Sequence, residues 1–169
     1  MKVFGLIGYP LGHSFSKAYF SRKFSEENHN AIYKNFEISS LSELSRVLET
    51  EPGLAGLNVT IPYKSEILAY LDKVDPLAAE IGAVIVVSVL RKDSGIKLSG
   101  YNTDILGFRD SLIPLLKPGL SSALVLGSGG ASLAVRKCLN DMGINYLLVS
   151  RSAETGDLLY KDLNREVIK

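Results

Sequence analysis

The sequence predicts an α/β protein. Short apolar runs alternate with stretches whose apolar residues recur every three or four positions, as strands alternating with helices would. Two later runs flank residues 91–95, a polar segment closed by Gly95, and read as a hairpin. Further on, Gly127-Ser128-Gly129-Gly130 stands between an apolar run and a helical pattern. The 169 residues suffice for one good core, or for one small domain with part of another.

Residues 3–7 are an apolar run stopped by Gly8 and Pro10, a buried strand. Ser16 can cap a helix running to about residue 27, with Phe20 and Phe24 one turn apart on its inner face. Residues 32–38 alternate as a second strand. Ser40 and Glu43 have capping-box spacing, and Leu41, Leu44 and Leu48 form the stripe of the helix that follows. Residues 54–59 are a third strand. Residues 60–62 must be a loop, because Pro62 disfavours helical backbone before it.

A helix with Ile67, Leu68 and Leu71 inward comes next, and Asp75-Pro76 restarts a helix by N-cap and N1 proline. Residues 84–90 and 96–100 are the hairpin strands. Ile105, Phe108, Leu112 and Leu115 place a helix over 104–116, and Lys117-Pro118-Gly119 breaks it. Residues 122–126 are an apolar strand, 131–142 a helix and 146–149 another strand, making most of a βαβ unit. The domains are expected at 1–103 and 118–169, with 104–117 a connecting helix.

Apolar residues make up 46% of the chain, so a packed fold is expected and wholesale disorder is not. A net charge of +1 without a basic tract gives no nucleic-acid footprint. Cys138 is alone, so no intramolecular disulfide forms and the chain suits a reducing cytoplasm. The apolar N-terminus is too short for a signal sequence, and no stretch approaches a membrane span.

Two polar runs interrupt apolar surroundings: Asn58-Val59-Thr60-Ile61-Pro62-Tyr63-Lys64 and Gly100-Tyr101-Asn102-Thr103-Asp104. A lysine and a carboxylate at adjacent strand ends can move a proton to or from an oxygen. Alone, Lys64 reads as a solvated lysine at a helix start and Asp104 as an N-cap. Their joint occurrence with Asn58, Thr60 and Asn102 raises both above that. Ser14 and Ser16 can donate to a carboxylate near a helix N-terminus, although Ser16 also competes as a cap. His13 has no recognisable partner, and a structural role suits it better.

The glycine turn has the strand-to-helix context in which backbone amides hold a pyrophosphate. Ser132 stands at the third fingerprint position, where glycine or alanine is usual. The next strand ends in Ser150-Arg151-Ser152, which suits a ribose 2′-phosphate better than a 2′-hydroxyl and so favours NADP over NAD.

Taken together and in order, these runs resemble the shikimate dehydrogenase family. The matching stretches are Gly8-Tyr9-Pro10-Leu11 with Ser14-Phe15-Ser16, the run from Asn58 to Lys64, Gly82-Ala83-Val84, Asn102-Thr103-Asp104, and the glycine turn with Ala131 and Ser132. The resemblance implies an N-terminal three-layer α/β substrate domain with a mixed sheet, followed by the start of a Rossmann-type NADP-binding domain. It implies NADP-dependent interconversion of 3-dehydroshikimate and shikimate, in chorismate and aromatic amino acid biosynthesis. Lys64 and Asp104 would be the catalytic pair. Ser14 and Ser16 would bind the substrate carboxylate, with Asn58, Thr60 and Asn102 lining the same pocket. Gly127, Ser128, Gly129, Gly130 and Ala131 would hold the pyrophosphate, and Ser150, Arg151 and Ser152 the 2′-phosphate. The partner is then a small molecule, with no nucleic acid, membrane or metal; homodimerisation stays open.

Two departures stand out. The family usually has asparagine, bonding a substrate hydroxyl, where this chain has Ile85. The family's chains also run well beyond residue 169, so a fragment or truncated form is expected. The alternative is a non-catalytic small-molecule or nucleotide-binding module of the same fold.

Overall fold

The computed structural model describes residues 1–165. Their contacts divide into two compact units, one spanning Met1–Asn102 and one beginning at Thr103.

The first unit contains β1 (Lys2–Gly8), α1 (Ser16–Glu26), β2 (Ala31–Glu37), α2 (Leu44–Thr50), β3 (Leu54–Val59), β4 (Lys73–Val74), α3 (Pro76–Ile81), β5 (Val86–Lys92) and β6 (Gly95–Tyr101). They form one mixed sheet of order β2-β1-β3-β5-β6-β4, in which β5 alone is antiparallel to its neighbours. Strand alternation separates two cores. Val3 and Ile7 point to the larger one, with Leu41, Leu44, Leu57 and Ile67. Leu6 points to a second, with Leu11 and Tyr33, against which Phe4, Phe20 and Phe24 pack. Helices on both faces and the sheet between them give the three layers.

Several local expectations change. Ser16 does not cap α1: Phe15 is the N-cap residue, without a side-chain bond, and Ser16 is the first helical residue. The capping box is displaced by one residue. Ser40 accepts from the Ser42 amide, but the Glu43 carboxylate accepts from the Ser39 amide at 3.0 Å. This holds a 3₁₀ turn, Leu41–Glu43, ahead of α2. The segment after Pro62 forms a 3₁₀ helix, Glu66–Tyr70, rather than an α-helix. Ile67 is nevertheless fully buried there, with Leu68 and Leu71 half-buried. Asp75 caps α3 as expected, accepting from the Leu77 amide at 3.1 Å with Pro76 at the first turn. The hairpin is longer than expected and its turn shorter: Lys92 pairs with Gly95, leaving Asp93-Ser94 as the connection.

The second unit contains α4 (Asp104–Leu112), β7 (Ser122–Leu126), α5 (Gly130–Asp141), β8 (Asn145–Ser150) and β9 (Leu158–Leu159). A parallel sheet of order β7-β8-β9 carries α5 between its first two strands, the βαβ unit expected of 122–149. Val125, Leu139, Ile144 and Leu148 are its core, with Leu112, Val135 and Met142 against them. The strand β9 is too short to leave a periodic signal. The Asp157 carboxylate prepares its entry by accepting from the Leu148 amide at 2.8 Å.

Candidate functional site

In the first unit the expected site residues gather at one end of the sheet. Register sets the row: Ile7 pairs with Val59, and Val86 pairs with Tyr101. The carboxyl ends of β1, β3 and β6 and the entry to β5 therefore lie side by side. Loops at such an end are where open α/β sheets place their ligands.

Backbone bonds tie these loops together. The Thr60 amide donates to the Ile7 carbonyl at 2.9 Å and the Tyr9 amide to Ile61 at 3.0 Å. Both loops contain a cis proline, Tyr9-Pro10 and Ile61-Pro62. Gly8 permits the approach: a Cβ there would run into the Thr60 methyl and lie 2.9 Å from the Ile61 carbonyl. Beyond Thr60, the Lys64 carbonyl accepts from the Val84 amide at 2.7 Å. The half-buried Lys64 is thus fixed at its backbone to the segment that leads into β5. Ile85 donates its amide to Tyr101 and accepts from Val59, both at 2.9 Å. Asn102 is buried and donates its side-chain amide to the Ala83 carbonyl at 2.9 Å. So Thr60, Lys64, Ile85 and Asn102 are held on one continuous hydrogen-bonded frame.

Ser14 and Ser16 arrive from the β1–α1 connection. The Ser14 Oγ is buried and has no hydrogen-bond partner among the described residues. A buried hydroxyl left unpaired is costly, and a ligand acceptor would satisfy it. Because Ser16 is not a cap, its hydroxyl is not spent on the helix amides. Asn58, half-buried on β3, accepts at Oδ1 from the Tyr33 hydroxyl at 2.7 Å. His13 is exposed.

In the second unit Asp104 is the first residue of α4, not its N-cap, so its carboxylate sits at the positive end of the helix dipole. Thr103, Asp104, Gly107, Phe108, Ala131 and Ala134 line a crevice of about 450 Å³ between α4 and α5. The expected catalytic carboxylate thus shares a cleft with Ala131 of the glycine turn.

The glycine turn has the conformation its sequence requires. Gly127 adopts φ +109°, which excludes other residues without strain. Nothing lies within 4 Å of where a Gly129 Cβ would be, so the turn is uncrowded at that position. The departure at Ser132 is absorbed internally, its Oγ donating to the Gly129 carbonyl at 2.7 Å. These features fit a dinucleotide.

The strand end after β8 is less simple. Ser150 is buried, its Oγ 2.7 Å from the Thr155 hydroxyl and 3.1 Å from that of Ser128. Arg151 and Ser152 are exposed beside it. Ser150 therefore organises the turn, and Arg151 and Ser152 are the groups open to a phosphate.

Sequence reasoning missed Tyr33 and Thr155. For Tyr33 a signal existed: a tyrosine on the buried face of an alternating strand needs a partner for its hydroxyl. Thr155 lies in a turn without pattern. Among the described residues no cluster of His, Cys, Asp or Glu could hold a metal, and no helix is long and apolar enough to cross a membrane.

Residues 6–87 match the family model described as shikimate dehydrogenase substrate binding domain. The shikimate dehydrogenase (NADP(+)) of Bacillus cereus strain AH187 is 40% identical over 153 residues, covering 88% of this chain and 53% of the relative. That of Symbiobacterium thermophilum is 36% identical over 171 residues, covering 97% of this chain and 55% of the relative. Among solved structures, shikimate dehydrogenase from Aquifex aeolicus superposes with a TM-score of 0.79 at 39% identity, over 92% of this chain and 57% of that one. The Thermus thermophilus enzyme, in complex with NADP(H) and shikimate, gives 0.77 at 31%, over 92% and 58%. The chain spans about half the length of the curated relatives it matches.

Proposed function

We propose that the chain, whose residues 6–87 match the shikimate dehydrogenase substrate binding domain, is a member of the shikimate dehydrogenase family and takes part in the NADP-dependent interconversion of 3-dehydroshikimate and shikimate, in the cytoplasm, within chorismate biosynthesis. The observation that carries this reading is the frame joining Thr60, Lys64 and Asn102 at the carboxyl end of the sheet, inside and next to the matched residues 6–87.

In this reading Ser14 and Ser16 donate to the substrate carboxylate, and Asn58, Thr60 and Asn102 shape the pocket around the ring. NADPH, when bound, supplies the hydride that reduces the C3 carbonyl carbon. Lys64, as the ammonium, stabilises the developing oxyanion and gives it a proton, leaving the C3 hydroxyl of shikimate and a neutral amine. Asp104 accepts a hydrogen bond from a ring hydroxyl and orients the ammonium. Gly127, Ser128, Gly129, Gly130 and Ala131 hold the pyrophosphate on the amides of α5, and Arg151 and Ser152 take the 2′-phosphate.

The test is NADPH consumption on adding 3-dehydroshikimate. Turnover that depends on both compounds is expected; none, with neither compound bound, would overturn the reading. A second reading, a binding module without turnover, is favoured by one observation: Ile85 puts a buried aliphatic side chain at the entry to β5. Titrating shikimate and NADP separately distinguishes the two, since the module binds without reacting.

A further inference from the structure

We propose that Glu37 is a positioning residue of the substrate pocket, a carboxylate at the end of β2 that anchors the loop carrying Ser14 so that its hydroxyl is kept for the ligand; this rests on the function proposed above. Register brings Glu37 opposite Gly8, the last residue of β1, as the final pair of the two parallel strands. From there its side chain reaches the loop that follows β1, where Oε2 accepts from the Leu11 amide at 2.8 Å, across 26 positions of sequence. The Leu11 carbonyl in turn accepts from the Ser14 amide at 3.0 Å. Leu11 is 5% exposed and clusters with Leu6 and Tyr33. At the end of this relay stands the Ser14 Oγ, buried and without a hydrogen-bond partner among the described residues.

Each link has a physical reason. The core draws Leu11 inward by its side chain, and a backbone amide taken out of water needs an acceptor. No ladder or helix supplies one, because β1 ends at Gly8 and α1 begins at Ser16. Glu37 supplies it, and a carboxylate makes a stronger bond than a neutral acceptor. Leu11 is then held at three points: side chain, amide and carbonyl. The turn from Leu11 to Ser14 closes on that fixed residue, so the Ser14 backbone has one place. A serine on an untethered loop would rotate its hydroxyl to water. Here the hydroxyl stays buried and unpaired, the condition that a ligand acceptor relieves. Without the anchor, the loop regains freedom that the ligand must then remove, and binding weakens. The task needs an acceptor oxygen at the right reach, and it needs no negative charge.

Calorimetric titration of the 169-residue chain with shikimate tests this. Glu37→Ala should weaken binding about three- to ten-fold, the effect of one or two groups that the ligand must order for itself. Glu37→Gln keeps an acceptor oxygen at the same reach and should stay within about two-fold of the parent. Equal losses in the two variants would assign the effect to charge and overturn the proposal, as would unchanged affinity in Glu37→Ala. The route through Ser14 is read in the Ser14→Ala background, where adding Glu37→Ala should cost less than about two-fold. The full loss there would make Glu37 a general support of the fold and would overturn the link. No binding of shikimate by the unsubstituted chain would remove both this inference and the functional reading; binding with an insensitive Glu37→Ala would remove the inference alone. Should Glu37→Ala fail to fold, Glu37→Asp takes its place, since it keeps the charge but falls one methylene short of the Leu11 amide. The same loss is expected of it, and unchanged affinity would again overturn the proposal.

Discussion

The phenol of Tyr33 is pushed up to about 12 by burial, with the Ser16 hydroxyl working against the rise. The unfolded chain releases that proton near pH 10, the ordinary tyrosine value, while the folded chain keeps it. This contribution to stability is intact below pH 10 and is lost as pH climbs from 10 towards about 12. Thermal melts across that range should show a falling limb that flattens in Tyr33→Phe. For catalysis, Lys64→Ala should reduce NADPH turnover by roughly 10²–10⁴, the span for removing general acid–base help; turnover within a few-fold of the parent would remove Lys64 from that role. Ile85→Asn should tighten shikimate binding by about two- to ten-fold, one added hydrogen bond, while lowering the unliganded melting temperature because an amide replaces a buried aliphatic group. Thr60, Lys64 and Asn102 were legible in the sequence because polar residues there break apolar context. Tyr33 was legible only as a buried phenol that needs a partner; the identity of that partner was not, because Asn58 is 25 residues away and only the sheet brings them together.

At the level of elements, strands and helix stripes were legible where periodicity is strong. Leu41, Leu44 and Leu48 are all buried as their spacing demands. What failed was hydrogen-bond detail at element ends. Ser16 satisfies the composition of a cap but enters the helix one residue late, because Phe15 already occupies the capping position. The segment after Pro62 has helical composition but tightens to 3₁₀ geometry over Glu66–Tyr70. The glycine turn, by contrast, was dictated by its sequence. Gly127→Ala should destabilise the second unit by about 1–3 kcal/mol, because φ +109° strains any residue with a Cβ. Hydrogen exchange should report this as faster exchange at the β7 and β8 amides; unchanged protection there would contradict it.

For the molecule as a whole, strand order was the least legible feature. Neighbours in sequence paired where a short turn joins them, as in β5 and β6. The insertion of β1 between β2 and β3, and of β6 between β5 and β4, depends on crossovers with no local signature. Charge pairing adds a pH dependence spread over the first unit. The bond from Lys97 and the amide of Leu98 hold Asp72 below the usual carboxylate range. The amide and hydroxyl of Ser39 do the same for Glu43, and Lys23 for Glu27. Depressed carboxylates stabilise the fold above their unfolded values and lose that contribution as pH falls through the folded ones. Stability should therefore decline as pH drops below 4.5 for the glutamates and 3.8 for Asp72. Glu27 and Asp72 are exposed and Glu43 is half-buried, all three within reach of solvent, so the effect of each is small. Asp72→Asn should lower the melting temperature at neutral pH and make the acid limb shallower; an unchanged limb would show that the pairing carries no weight.

The antiparallel run of β5 has a practical use. Its seven residues carry the chain away from Ile85, and β6 brings it back to Asn102. The Asp93-Ser94 tip therefore stands roughly 20 Å from that end at the usual rise per residue. A biotin, dye or short epitope placed on the tip would tether the protein to a sensor chip with its ligand loops turned to the flowing solution.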